Sequence, residues 1–233
     1  MPTAIITGAT QGIGASIARM LAKEQFVLCI CSRNESELIA FKTELEAIGS
    51  PEVFIKTADL SNKETAKNFA SFALQQLKTV DILVNNAGIF IPGNICDEPE
   101  GQLEQMMQVN LYSAYTITRI IAPEMRKINK GHIFNMCSVA SLKAYPMGGS
   151  YSISKYALLG FSDNLREELK MDNIKVTALC LGATNSRSWQ GSGVPAERIM
   201  PSDDVAKILW TAYNLAESSN LETIIMRPQF GDL

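Results

Sequence analysis

A doubly wound α/β domain, its seven-stranded and mostly parallel sheet covered by helices on both faces, is the fold this sequence predicts. Short apolar runs recur seven times, segments with a period of 3.6 residues separate them, and the first run opens directly into a glycine-rich turn. Such alternation implies βαβ units, because parallel neighbours need a crossover, and the helix in each crossover buries one face of the sheet. The 233 residues, 46% of them hydrophobic, suffice for one large core and are read as a single domain over 1–233.

The first strand is AIIT at 4–7, and TGATQGIG at 7–14 follows it before the helical pattern ASIARMLAKE. Gly8 permits a tight bend, Gly12 lets a pyrophosphate approach the backbone, and Gly14 allows the helix to pack closely on the strand with its N-terminus toward the phosphates. The spacing is G-x3-G-x-G, and packing alone also calls for such glycines. FVLCIC at 26–31 is the second strand. An acidic residue after it would accept bonds from both adenosine ribose hydroxyls, but Ser32 and Arg33 stand there instead. A guanidinium holds a 2′-phosphate through charge-assisted bonds, which favours NADP(H) over NAD(H).

The helix ESELIAFKTELEAIG leads to VFIKTA at 53–58, which sets Asp59 either at an adenine edge or at the cap of the next helix, KETAKNFASFALQQL. DILVNNA at 81–87 then runs into NNAG, whose amides can hold a crossover loop while Ala87 and Gly88 leave room for a flat ligand. A helix over 102–128 buries Asn110, an amide that needs partners there. HIFNMCS at 132–138 leaves Ser138 at the carboxyl edge of the sheet, where ligands of such folds bind. KVTALCL at 175–181 and ETIIMR at 222–227 complete the strands. Between them, ATNSRSWQGSGVPAERIMP at 183–201 is expected to act as a substrate lid.

The helix over 151–171 places Tyr151 and Lys155 one turn apart on one face, about 6 Å along the axis. A phenol with a pKa of about 10 is a poor proton shuttle near neutrality, and burial alone raises it further. An ammonium about 4 Å away at an effective dielectric near 20 contributes roughly 4 kcal/mol, or about three pKa units. The expectation is therefore that Lys155 brings Tyr151 down.

Several classes of function are excluded. A formal net charge of -3 with scattered basic residues lacks the positive footprint of a nucleic-acid binder. Apolar runs stop short of a membrane span and the N-terminus has no signal-peptide pattern, so a cytoplasmic location is expected. The five cysteines are odd in number, form no CxxC pair, and read in four cases as small buried hydrophobes of a reducing compartment. No metal site is expected, and His132, the one histidine, is assigned a structural role.

TGATQGIG, NNAG, Asn110, Ser138 and Tyr151-x-x-x-Lys155 occur in this order from Thr7 to about residue 186. Together they resemble the short-chain dehydrogenase/reductase family. The resemblance implies a Rossmann-type domain that moves hydride between NADP(H) and a small carbonyl or alcohol substrate. Tyr151 would be the general acid and base, and Ser138 would bond the same carbonyl oxygen. Lys155 would hold the nicotinamide ribose, and Asn110 would order a water that relays protons to Lys155. It also implies cofactor contacts from Gly8, Thr10, Gln11, Gly12, Ile13 and Gly14, from Ser32 and Arg33, and from Asp59 and Leu60. Asn86, Ala87 and Gly88, then Gly182, Thr184 and Ser186, complete that set. One departure follows the sixth strand, where the family often has Pro-Gly and a threonine four residues beyond the glycine. Leu181 replaces that proline and Ser186 that threonine.

By the same resemblance the substrate pocket lies among Phe90, Ala140, Leu142, Tyr145, Met147 and the lid with Arg187 and Trp189, and the helices at 102–128 and 151–171 join subunits in a homodimer or homotetramer. The tail IIMRPQFGDL is similar to the RP-containing endings of 3-hydroxy acid dehydrogenase and sepiapterin reductase-like members. Candidate substrates are 3-oxoacyl groups, 3-keto or 3-hydroxy acids and related ketones. A non-catalytic NADP(H)-sensing regulator would not need the Tyr/Lys pair, and a methyltransferase would need neither NNAG nor that pair.

Overall fold

The computed structural model describes residues 1–186 and 193–232. Seven strands form one sheet: β1 (Thr3–Thr7), β2 (Val27–Ser32), β3 (Val53–Thr57), β4 (Ile82–Asn85), β5 (Gly131–Ser138), β6 (Ile174–Leu181) and β7 (Thr223–Met226). Their order is β3-β2-β1-β4-β5-β6-β7, with every neighbouring pair parallel, so the expected mostly parallel sheet is parallel throughout. Successive strands build outward in one direction from β1 and in the other from β4, which opens a crevice between their carboxyl ends.

Helices α1 (Gly12–Lys23), α2 (Glu35–Ile48) and α7 (Ser202–Tyr213) cover one face. Helices α3 (Lys63–Leu77), α5 (Ser113–Ile128) and α6 (Gly149–Leu169) cover the other. Strand side chains alternate between the two layers: Ile6, Ile30 and Val84 meet Ile17, Leu38 and Leu209, while Ile5, Cys29 and Leu83 meet Phe69, Ile117 and Met125. Each fully buried aliphatic side chain contributes about 1.5–3 kcal/mol relative to exposure, so both layers are needed to hold the sheet. Cys29, Cys31, Cys137 and Cys180 are buried within this packing and Cys96 is exposed; all five are free thiols.

The helix expected over 102–128 is divided. A short α4 (Gln102–Met107) passes through a π-helical turn, Gln108–Tyr112, into α5. The extra residue in that wide turn carries Asn110 inward, and a period of 3.6 read from sequence cannot register such a change. The segment expected as a lid is tied at its base, where Asn185 N donates to the Met200 carbonyl at 2.8 Å and Met200 N to the Ala183 carbonyl at 2.9 Å. Arg187 and Trp189, assigned to the lid, lie outside the described residues. Among the described residues, no helix is long and apolar enough to cross a membrane, and no cluster of three potential ligands is arranged to hold a metal.

His132 sits inside β5 with its ring stacked on Phe134 at 3.9 Å. Thr177 donates its single proton to the Leu221 carbonyl, so it accepts from His132 Nε2 at 2.8 Å, and the ring is neutral with no partner for Nδ1 among the described residues. Burial first, and the charge of Lys175 second, push its pKa from 6.5 down to about 3. The unfolded chain therefore takes up the proton first as pH falls. The contribution of His132 is complete above 6.5 and is lost toward 3. Across that interval the wild-type should lose up to about 1.4 kcal/mol per pH unit more than His132→Gln, measured by urea unfolding; parallel losses in the two proteins would remove His132 as the source.

Candidate active site

At the crevice, two loops are sewn together by one hydroxyl. Thr7 Oγ1 accepts from Asn86 N and Ala87 N, both at 3.0 Å, and Asn86 Nδ2 donates to the carbonyls of Thr7 and Gly8, both at 2.9 Å. Gly8 and Gly12 have φ of 62° and 52°, values that favour glycine. A Cβ on Gly14 would overlap the Gly8 carbonyl oxygen and the Asn86 amide, so the close helix-to-strand packing expected of Gly14 is present. Ile13 packs on the core beneath.

An anion fits the start of α1. Asn34 and Asn62 cap α2 and α3 with their side chains, and acidic residues occupy both first turns. By contrast, Gln11 gives α1 no side-chain cap and its first turn holds no acid, which leaves the backbone N–H groups and the positive end of the dipole for a phosphate.

The nucleotide side brings an unexpected residue. Thr10 Oγ1 and Gln11 Nε2 both donate to Glu37 Oε2, at 3.0 and 3.1 Å. Their side chains thus hold the turn to α2. Glu37 follows the cap residue Asn34 by three positions, the N-cap-to-N3 spacing of a capping box, and that signal was available in the sequence. Ser32 turns its hydroxyl toward the backbone of Asn34, and Arg33 is exposed. Asp59 Oδ1 accepts from Ser61 N at 3.0 Å in a local turn, and the capping of α3, one of the two roles expected of Asp59, falls to Asn62 instead. Bonds from the Ser61 backbone and hydroxyl, with help from the Arg33 charge, hold its carboxyl below the usual range. Leu60 points into the core.

Asn110, Ser138, Tyr151 and Lys155 converge beyond the ends of β4 and β5. Asn110 is 1% exposed; its Oδ1 accepts from Ile89 N at 2.8 Å and its Nδ2 donates to the Ile89 carbonyl at 3.0 Å. Gly88 lies between this amide and the lysine, since a Cβ there would stand 3.2 Å from Asn110 Oδ1 and 3.6 Å from Lys155 Nζ. Glycine thus keeps the space beside NNAG open against the Asn110 amide, forming a cradle. Ser138 closes a short capping turn by accepting from Ala140 N at 3.1 Å, donates to the Leu181 carbonyl at 3.3 Å, and lies near enough to Tyr151 to influence its hydroxyl.

The expected lowering of Tyr151 by Lys155 does not occur. Lys155 Nζ lies 5.8 Å from the centre of the Tyr151 ring and donates to the Met136 carbonyl at 2.7 Å. A buried ammonium takes the strongest acceptor within reach, and the end of β5 presents one. Burial pushes the Tyr151 hydroxyl up, the nearby Ser138 side chain opposes this, and the Cys137 charge adds to the rise. Burial likewise holds the Lys155 amine below its ordinary value.

Phe90 meets the Tyr151 ring edge-on at 4.9 Å, and Tyr145, pushed up to about 12 by burial and then by Tyr151, borders the same space. Met147 is half-exposed nearby, with a φ of 62°. This wall is fastened at several points: Gly93 N donates to the Met147 carbonyl at 3.0 Å and Met147 N to Asn94 Oδ1 at 3.2 Å. Glu98 accepts from Ser150 N at 2.9 Å and from the Ser150 hydroxyl, at the first turn of α6. Past β6, Ser186 packs against Gly12, and Thr184 spends its hydroxyl on the Gly182 carbonyl at 2.9 Å.

A family model described as short chain dehydrogenase matches residues 2–193. The ketoacyl reductase HetN of Nostoc sp. is 32% identical over 77% of this chain, which spans 62% of that protein's length. The sepiapterin reductase of Chlorobaculum tepidum is 30% identical over 98% of this chain and 97% of its own. Among solved structures, the alcohol dehydrogenase of the archaeon Thermococcus sibiricus complexed with 5-hydroxy-NADP superposes with a TM-score of 0.91 at 27% identity, covering 99% of this chain and 97% of that one.

Two glycines test the packing that shapes the turn. Gly14→Ala should cost about 1–3 kcal/mol, because its methyl meets backbone that cannot yield. Gly160→Ala, in α6 with nothing within 4 Å, should stabilise by up to about 1 kcal/mol. Equal urea midpoints for the two variants would contradict the described packing.

Proposed function

Because this chain belongs to the short-chain dehydrogenase family, an oxidoreductase family, we propose that it reduces a carbonyl to an alcohol, or runs the reverse reaction, with NADP(H). The convergence of Tyr151, Ser138, Lys155 and Asn110 at the carboxyl end of the sheet is the observation that carries the reading. The 5-hydroxy-NADP held by the Thermococcus enzyme and the reductase names of the two relatives support it.

The residues that would hold the cofactor are the uncapped start of α1 for the pyrophosphate, Arg33 for a 2′-phosphate, and the Gly88 cradle with Lys155 for the nicotinamide ribose. When bound, the nicotinamide supplies hydride to the carbonyl carbon. Tyr151 gives its proton to the carbonyl oxygen, and Ser138 stabilises the charge developing there. A Tyr151 hydroxyl held above the ordinary phenol value keeps its proton at neutral pH, which suits an acid in reduction. Lys155 stabilises the phenolate that remains. Phe90, Tyr145 and Met147 suit a substrate with an apolar body, such as a 3-oxoacyl thioester, a 3-keto acid or a related ketone. Tyr112, Tyr115, Ile153 and Tyr156 expose apolar surface on and beside α5 and α6, which supports assembly as a dimer or tetramer.

A panel of 3-keto esters, diketones and 3-hydroxy acids, followed by NADPH absorbance, identifies the substrate class. Tyr151→Phe should bind NADPH normally while carbonyl reduction falls about 10²-fold or more, and turnover near that of the wild-type would reject the assignment. Arg33→Ala should weaken NADPH far more than NADH in fluorescence titrations. Equal losses would remove the 2′-phosphate contact.

A further inference from the structure

Asn110 has three hydrogen bonds, and only two of them go to Ile89. Its second N–H donates to Ser154 Oγ at 2.9 Å. Ser154 is 0% exposed, and its hydroxyl proton goes to the Tyr151 carbonyl at 2.7 Å. A hydroxyl has one proton, so toward Asn110 it can act only as acceptor. The polarity of the chain is therefore fixed: amide N–H to Ser154, Ser154 O–H to the carbonyl of Tyr151. Ser154 and Lys155 each follow Tyr151 by about one turn of α6. The Ser154 hydroxyl is thus a clamp between the π-helical turn that carries Asn110 and the helical turn that carries Tyr151 and Lys155.

We propose that Ser154 is a positioning residue for the carbonyl reduction. It holds Asn110 at a set height against α6, so that Asn110 Oδ1 stays across Gly88 from the Lys155 amine, on the route by which Tyr151 regains its proton. The inference rests on the reading of Tyr151 as the acid. In Ser154→Ala the helix keeps a good helix former, but one buried N–H of Asn110 loses its acceptor and the two turns lose their link.

Two measurements test it. In the cofactor-free protein, hydrogen exchange at the Ile89 amide, which is bound to Asn110 Oδ1, should rise about tenfold in Ser154→Ala while the amides of β5 keep their protection. Unchanged Ile89 protection would overturn the clamp. In turnover, Ser154→Ala should lower kcat about tenfold with KM and NADPH affinity within about twofold, the pattern of misplaced catalytic groups. Asn110→Ala/Ser154→Ala should be no slower than Asn110→Ala alone, because both act through one link. A wild-type kcat, or losses that multiply in the double variant, would overturn the role. If Tyr151→Phe proves fully active, the proposed chemistry fails, while the exchange experiment still decides the clamp.

Discussion

An amine shut away from water imposes the constraint on which this site is built. Lys155 is 6% exposed, and a cation in that position is tolerable only where acceptors are already oriented toward it. The end of β5 meets this need with the Met136 carbonyl. That bond decides where the amine sits, which in turn decides how far it lies from the phenol. The charge is held ready beside the cleft and is not spent on Tyr151 in advance.

Holding α6 to such tolerances requires polar contacts beneath the site as well as around it. Asn85 Nδ2 donates to Thr118 Oγ1 at 3.0 Å and to Asn135 Oδ1 at 2.8 Å, and Asn135 Nδ2 donates to Ser162 Oγ at 2.8 Å. This buried chain joins β4, β5, α5 and α6 in one fixed arrangement. Apolar packing alone is less directional, and a connected run of amides and hydroxyls specifies one alignment. Asn85 and Asn86 therefore face opposite tasks: Asn85 fastens the helices, and Asn86 fastens the glycine turn.

Much of this was legible in the sequence, for reasons that differ by residue. The strands announced themselves because burial on both faces demands unbroken apolar runs, as in Ile82–Val84 and Ala178–Leu181. Gly8, Gly12 and Gly14 were legible because backbone conformation and close approach leave few alternatives to glycine. Asn110 stood out as a polar residue in an apolar helix, though the π turn that accommodates it leaves no periodic trace. The distance between Tyr151 and Lys155 was less accessible. Helix geometry puts the two on one face, but the rotamer of a long side chain answers to acceptors far away in sequence, here the Met136 carbonyl. Thr10 and Gln11 were assigned to the cofactor, and their bonds to Glu37 depend on how α2 leans over the turn, a tertiary fact.

The wall beside Tyr151 carries a consequence for how such a protein can change. Glu98 fits between Gly93 and Gly149, and any side chain at either glycine would strike its carboxylate or methylene groups. Single substitutions at those two glycines, or at Glu98 itself, would unfasten the wall before any benefit in ligand choice could appear. The side chains of Phe90 and Tyr145 border Tyr151 without carrying that fastening, and Met147 takes part in it through its backbone alone. Change is thus easier at these three side chains than at the scaffold behind them.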